Sequence, residues 1–277
     1  MMKKLTAAAV MVALSLPAMA NDAPDMGSPT EVYNYLGLSY GNFGANLKGM
    51  RALSEDKGEY DQKTGILFEV KNIFNEKDKN PKFSGLDPAT GQPTFDDEAD
   101  NRSYRLRYGT VNTKNGLGFS VDAVLADHPF YGTMSVIQAG PVATIPVGDS
   151  LLIWPILYAG GVIVEDNTEQ FAVTPGQVVG QRMQSEGVDI ASTIATAMMY
   201  VKWSITDNIW MLSSYQYTTE LSGKSWEDDI ADGGLQLQAG VVEVSFAYQL
   251  TPKQNIRAYY TDASDDDRYW VEFNYAF

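Results

Sequence analysis

Apolar and polar positions alternate with a period of two along most of this chain. In "SYRLRYGT", Tyr104, Leu106 and Tyr108 stand opposite Arg105 and Arg107. "GLGFSVDAVLA" sets Leu117, Phe119, Val121, Ala123 and Leu125 against Gly118, Ser120 and Asp122. "TGILFEVKNIF" opposes Ile66, Phe68 and Val70 to Leu67, Glu69 and Lys71. Val242, Val244, Phe246 and Tyr248 face away from Glu243, Ser245, Ala247 and Gln249, and Ile256, Ala258 and Tyr260 from Arg257, Tyr259 and Thr261. The last ten residues, "RYWVEFNYAF", put Tyr269, Val271, Phe273, Tyr275 and Phe277 on one face and Trp270, Glu272, Asn274 and Ala276 on the other. A side-chain period of two is the geometry of a strand with one apolar face. No stretch of comparable length beyond the N-terminal leader keeps a helical period, so an all-β chain is expected.

The connections between these runs take turns in length. "NTKNG" (112–116), "PVGDS" (146–150), "SITDN" (204–208) and "LTPKQN" (250–255) are short. Those at 75–101, 165–188 and 222–234 are long and polar, with shorter members at 126–132 and 262–267. Such a rhythm trims one end of a sheet and elaborates the other, as in transmembrane barrels with short periplasmic turns and longer outer loops. The N-terminus fits export. Lys3 and Lys4 precede an apolar run, Leu5 to Leu16, and Ala18-Met19-Ala20 follows, the layout of a cleavable secretory signal over residues 1–20. Residues 21–277 are then expected to form a single barrel domain. The longest apolar stretch, Leu151 to Val164, spans 14 residues and is broken by Pro155, Gly160 and Gly161. A helical membrane span needs about 20.

Two further properties narrow the class. Removing the leader with its two lysines moves the net charge from −15 to −17, which argues against nucleic acid, whose phosphates call for a basic footprint. The chain has no cysteine, so disulfides, thiolate metal sites and a lipoprotein anchor are excluded.

The C-terminal strand resembles the assembly signal of bacterial outer-membrane β-barrel proteins: Phe277 at the end, with Tyr275, Phe273, Val271 and Tyr269 at alternate positions before it. The resemblance implies an outer-membrane barrel, recognition of this strand by the barrel-assembly machinery, and contact with outer-membrane lipid and lipopolysaccharide; a monomer is expected. It also turns the alternation inside out. Arg105, Arg107, Asp122, Glu243 and Glu272 then point into the lumen. Counting back from Phe277 gives ten antiparallel strands. The remaining segment 33–53 adds two more if it folds as a hairpin around Gly41–Gly44; otherwise it lies in the barrel or against its rim. Twelve strands are expected, with ten as the alternative.

At this width the interior is neither filled by side chains alone nor a wide aqueous channel. Lys71, Arg105, Arg107 and Arg257 stand against Glu69, Asp122, Glu243 and Glu272. Enclosed charges must be paired or solvated, so they either occlude the barrel or line a wet pore, and their near balance favours pairing. Arg105 and Arg107 on one strand would attract an anionic solute. Strands 133–146, 150–164 and 189–204 are apolar or small on both faces, which implies an interior packed against an inserted segment, or a pocket for a hydrophobic molecule. The leading function is a narrow pore or small-solute barrel. A structural or adhesive surface barrel is the alternative.

Candidate catalytic chemistry is thin. His128, beside Asp127, is the one histidine, and a lipid-directed hydrolase would have to use it, yet no serine lies near it in sequence. "GKS" at Gly223–Ser225 lacks the upstream glycine of a phosphate loop. The acidic runs "DDEAD" (96–100), "EDDIAD" (227–232) and "DDDR" (265–268) have no calcium-loop spacing. No cofactor or metal is expected. If the terminal strand is the assembly signal, deleting Phe277 will reduce the amount of barrel that migrates faster unboiled than boiled on a gel. A normal yield of that species would exclude the role.

Overall fold

The computed structural model describes residues 24–55, 61–74, 82–86, 89–90, 93–96, 102–128, 132–165, 170–174, 177–181, 188–223, 239–262 and 267–277. The leader at 1–20 lies outside the described residues. In chain order the strands are β1 (Tyr35–Gly41), β2 (Gly44–Glu55), β3 (Gln62–Ile73), β4 (Lys82–Leu86), β5 (Pro93–Asp96), β6 (Ser103–Asn112), β7 (Leu117–His128), β8 (Gly132–Ala143), β9 (Ile145–Val147), β10 (Leu151–Glu165), β11 (Gln170–Thr174), β12 (Gln177–Gln181), β13 (Val188–Ser204), β14 (Ile209–Gly223), β15 (Ala239–Thr251), β16 (Gln254–Asp262) and β17 (Arg268–Ala276).

Twelve of these strands form a closed antiparallel ring. The order runs β13-β14-β15-β16-β17-β1-β2-β3-β6-β7-β8-β10, and β10 pairs back onto β13. The expected hairpin at 33–53 is β1 and β2, turning at Asn42–Phe43, and it fixes the count at twelve. Its first strand pairs with the last, from Tyr35 opposite Ala276 to Gly41 opposite Trp270. The short β9 prolongs β8 after a break at Thr144 and stays against β10. β4–β5 and β11–β12 are separate hairpins within the two longest connections. Both chain termini of the barrel and the turns 113–116, 205–208 and 252–253 lie at one end, the terminal rim. The connections 74–102, 166–187 and 224–238 leave the opposite, distal rim.

The burial pattern is that of a membrane barrel. On β17, Val271 is 57% exposed while Glu272 next to it is 4%. Tyr104, Leu106 and Tyr108 on β6, and Ile256 and Tyr260 on β16, face outward as well. Asp122, Asn255, Arg257 and Asn274 are buried. A barrel in water would reverse this arrangement, because apolar surface left in water is unfavourable by about 25 cal/mol per Å². Polar-in, apolar-out alternation belongs to strands whose outer face meets lipid.

The doubly apolar strands β8, β10 and β13 do have an inserted partner. Residues 24–34, ahead of β1, fold into the barrel at the terminal rim. Trp154 of β10, fully buried, donates its Nε1–H to Thr30 Oγ1 at 3.0 Å. Thr30 Oγ1 also meets Thr144 Oγ1 at 3.1 Å, at the break between β8 and β9. Above them Val142, Ile156, Tyr158 and Met198 pack as an internal apolar cluster. Met26, Tyr35 and Ala276 form a second cluster across the β1–β17 seam. Trp154→Ala would leave a large void beside Thr30 and is expected to lower unfolding stability in urea by about 3–5 kcal/mol. Trp154→Phe should lose clearly less.

Candidate functional site

The site is the lumen, and strand register builds it. Arg107 on β6 stands opposite Asp122 on β7, which stands opposite Gln138 on β8. Arg105 lies two residues further along the same face. The outcome is one carboxylate held by two guanidiniums. Arg105 donates from Nε to Asp122 Oδ1 at 2.8 Å and from Nη2 to Oδ2 at 2.5 Å; Arg107 Nη2 reaches Oδ2 at 3.2 Å. Gln138 Nε2 adds a fourth donor at 3.4 Å. Asp122 is wholly buried; Glu69 on β3 stands opposite Arg105, and with Lys71 this wall carries three cations to two anions.

A second group lies across the β1–β17 seam. Lys48 on β2 and Glu272 on β17 are separated by β1, yet Lys48 Nζ sits 2.7 Å from Glu272 Oε1. They meet because β1 places Gly37 and Ser39 between them. A Cβ at Gly37 would lie 2.3 Å from Asn274 Oδ1 and 3.1 Å from Lys48 Cγ. Glu272 also accepts from Tyr259 OH at 3.2 Å and Asn274 Nδ2 at 2.7 Å. Arg257 next door has neutral partners: Asn255 Oδ1 at 3.3 Å, Tyr259 OH at 3.2 Å and the Met26 carbonyl. Tyr33 lies at the foot of this group, where burial pushes its phenol above the ordinary tyrosine range, while Arg257 and Lys48 pull it back. It therefore remains a neutral hydroxyl.

Between the two walls lies a cavity of about 450 Å³. It reaches from Met26 and Gly27 at its floor to Asn42, Phe43 and Arg268 near the distal rim. Lys48, Lys71, Arg105, Arg107, Arg257 and Arg268 line it, against Glu31, Glu69, Glu243 and Glu272. With Asp122 behind Arg105 and Arg107 the count is six cations to five anions, a small cationic excess in a chain of net charge −15.

All eight charges that the sequence assigns to the lumen lie on the inner face, Asp122 buried behind Arg105 and Arg107 and the others lining the cavity. Lys71 Nζ lies 3.6 Å from Glu69 Oε1, and Glu243 accepts from Thr261 Oγ1 at 3.4 Å. The pairs hug the wall and leave the cavity between them; the terminal mouth is filled by residues 24–34 instead. Tyr269, Val271 and Phe273 face outward. Phe277 stacks on Tyr275 with ring centroids 6.5 Å apart, and its N–H donates to the Asn34 carbonyl at 3.0 Å. His128 ends β7 at the distal rim, opposite Gly132; its side chain lies outside the described residues, as does the 227–232 acidic run.

Sequence reading missed Lys48, Gln138, Lys202 and Asp25. The first three sit at inward positions of their strands, so extending the alternation would have found them. Asp25 belongs to no strand and gives no such signal. Asp122→Asn would leave two half-buried guanidiniums facing one another across a neutral amide. It is expected to cost about 3–5 kcal/mol in unfolding stability, measured by urea titration of tryptophan fluorescence, with the Arg107→Gln variant losing less.

No protein-family model matches the sequence, and no curated relative matches it. Several solved barrels are similar in shape. The NanC porin shares 7% identity at a TM-score of 0.46, over 88% of this chain and 98% of that one. The translocator domain of the autotransporter NalP from Neisseria meningitidis shares 12% at 0.45, over 99% and 98%. The KdgM porin, solved with disordered oligogalacturonate, shares 10% at 0.44, over 89% and 99%. These are likenesses of barrel architecture and say nothing about cargo or mechanism.

Proposed function

We propose that this chain is an exported outer-membrane barrel whose lumen takes up small solutes from the distal, extracellular side, with a preference for anions, and whose periplasmic mouth is narrowed by its own residues 24–34. The observation that carries this reading is the polar cavity of about 450 Å³, enclosed by a ring of strands whose outer face is apolar. A barrel serving only as a surface platform has no need to keep such a volume. Partly buried walls of one sign focus the field and raise the local concentration of counter-charged solutes. The two guanidiniums sharing Asp122, together with Arg257 among neutral partners, supply that sign.

The same reading takes residues 1–20 as a removed export signal and Tyr269, Val271, Phe273, Tyr275 and Phe277 as the strand read by the assembly machinery. Lipid and lipopolysaccharide would surround the barrel, which functions as a monomer.

Planar-bilayer recording tests the pore. The intact protein is expected to give small conductance steps, and deletion of residues 24–33 larger ones, both favouring anions across a salt gradient. A deletion variant that inserts yet gives no steps, and no solute flux into liposomes, would exclude transport.

A further inference from the structure

The segment 24–34 is held at the cavity floor by charge as well as by packing. Asp25 presents its carboxylate to Lys202 Nζ, at 2.6 Å from Oδ1 and 2.7 Å from Oδ2. One residue on, the Met26 carbonyl accepts from Arg257 Nη2. Lys202 comes from β13 and Arg257 from β16, and the indole of Trp210 on β14 is near both. Its ring centroid lies 5.6 Å from Lys202 Nζ and 5.9 Å from Arg257 Cζ.

Two features of this corner are not explained by a structural anchor. Trp210 is only 6% exposed, yet its Nε1–H has no acceptor among the described residues. Buried donors nearly always find one. Arg257 is buried too; Glu272 stands opposite it on β17, but the hydrogen bonds of Arg257 all go to neutral groups, with Tyr259 OH between it and Glu272. Meanwhile the chain threads through the corner as bare backbone. A Cβ on Gly27 would lie 2.7 Å from Lys202 Cε, 2.8 Å from Trp210 Nε1 and 2.9 Å from Lys202 Nζ. Lys202 and the Gly27 N–H thus hold the Asp25 carboxylate, Arg257 holds the carbonyl of the next residue, and the unused Trp210 donor lies beside Gly27, all on a short tether that the chain itself carries.

We propose that Lys202, Arg257 and Trp210 form a carboxylate-binding site at the base of the lumen, that Asp25 is its tethered occupant, and that a free carboxylate solute arriving from the cavity displaces Asp25–Gly27. The exchange is favourable for a specific reason. The segment offers Arg257 a neutral carbonyl and offers Trp210 nothing. An arriving carboxylate gives both a charged acceptor, and such bonds are shorter and roughly twice as strong as neutral ones. The tether opposes it, since a short linker keeps Asp25 at an effective concentration in the millimolar range. Solute at lower concentration leaves the mouth closed; solute that accumulates in the cationic lumen competes. Ligand binding and opening of the mouth are then one event. This rests on the lumen being reached by solutes, as proposed above.

The purified full chain in detergent is titrated with acetate while the Trp210 indole ¹H–¹⁵N resonance, assigned by its loss in Trp210→Phe, is followed by NMR. In Asp25→Asn a saturable downfield shift is expected at an acetate concentration about tenfold lower than in the unaltered protein, because the competing tethered anion is gone. In Asp25→Asn combined with Lys202→Gln the saturable shift should disappear. An unmoved resonance in Asp25→Asn, an equal response without Lys202, or an equal response to chloride would each overturn the carboxylate site. The resonance reads the site whether or not the barrel conducts. Acetate binding without bilayer current would refute transport alone, and current without a Trp210 response would refute the site alone.

Discussion

In hydrocarbon a backbone N–H or C=O without a partner costs several kcal/mol, so a sheet that crosses a membrane must close on itself. Here closure is the pairing of β1 with β17, seven residues long from Tyr35–Ala276 to Gly41–Trp270. Everything else in the molecule follows from that ring. Once the sheet is closed, alternate side chains have no choice but lipid or lumen. Val271 and Phe273 go to lipid, and Glu272 and Asn274 go inward. The enclosed charges must then find partners within the width of two or three strands. Lys48 reaches Glu272 over Gly37, and Arg105 and Arg107 converge on Asp122. The ion pairs are a consequence of closure, not its cause, since buried pairs contribute little net stability over apolar residues of the same size.

Much of this was legible in the sequence because the period of a strand is short and its violations are few. Alternation puts Arg257, Glu272 and Asp122 on the polar face of their strands, and the terminal phenylalanine, the export leader and the loop rhythm turn that face inward; the hairpin around Gly41–Gly44 brings the count to twelve. What alternation does not encode is the contact between strands two or more apart, or the path of a segment outside the sheet. Lys48 and Glu272 are more than two hundred residues apart in the chain and meet only because the ring closes. Residues 24–34 have no period at all. Their presence showed only as a deficit, in that β8, β10 and β13 carried more apolar surface inward than a polar lumen needs. Trp154 is the visible half of an interface whose other half is irregular chain.

The inserted segment also supplies partners that two of the enclosed cations do not find on neighbouring strands. Of the lumen cations, Lys202 is neutralised by Asp25 from outside the sheet, and Arg257 is solvated by the Met26 carbonyl from the same segment. Had β13 or β16 supplied these partners from its own inward positions, the charge would be satisfied permanently and the floor would be fixed. Supplying them from a short segment outside the sheet satisfies the same desolvation demand with groups that, in the proposed exchange, a carboxylate solute replaces. In the proposed reading, the side chains that would draw an anion inward, Arg257 among them, also grip the segment that narrows the terminal mouth.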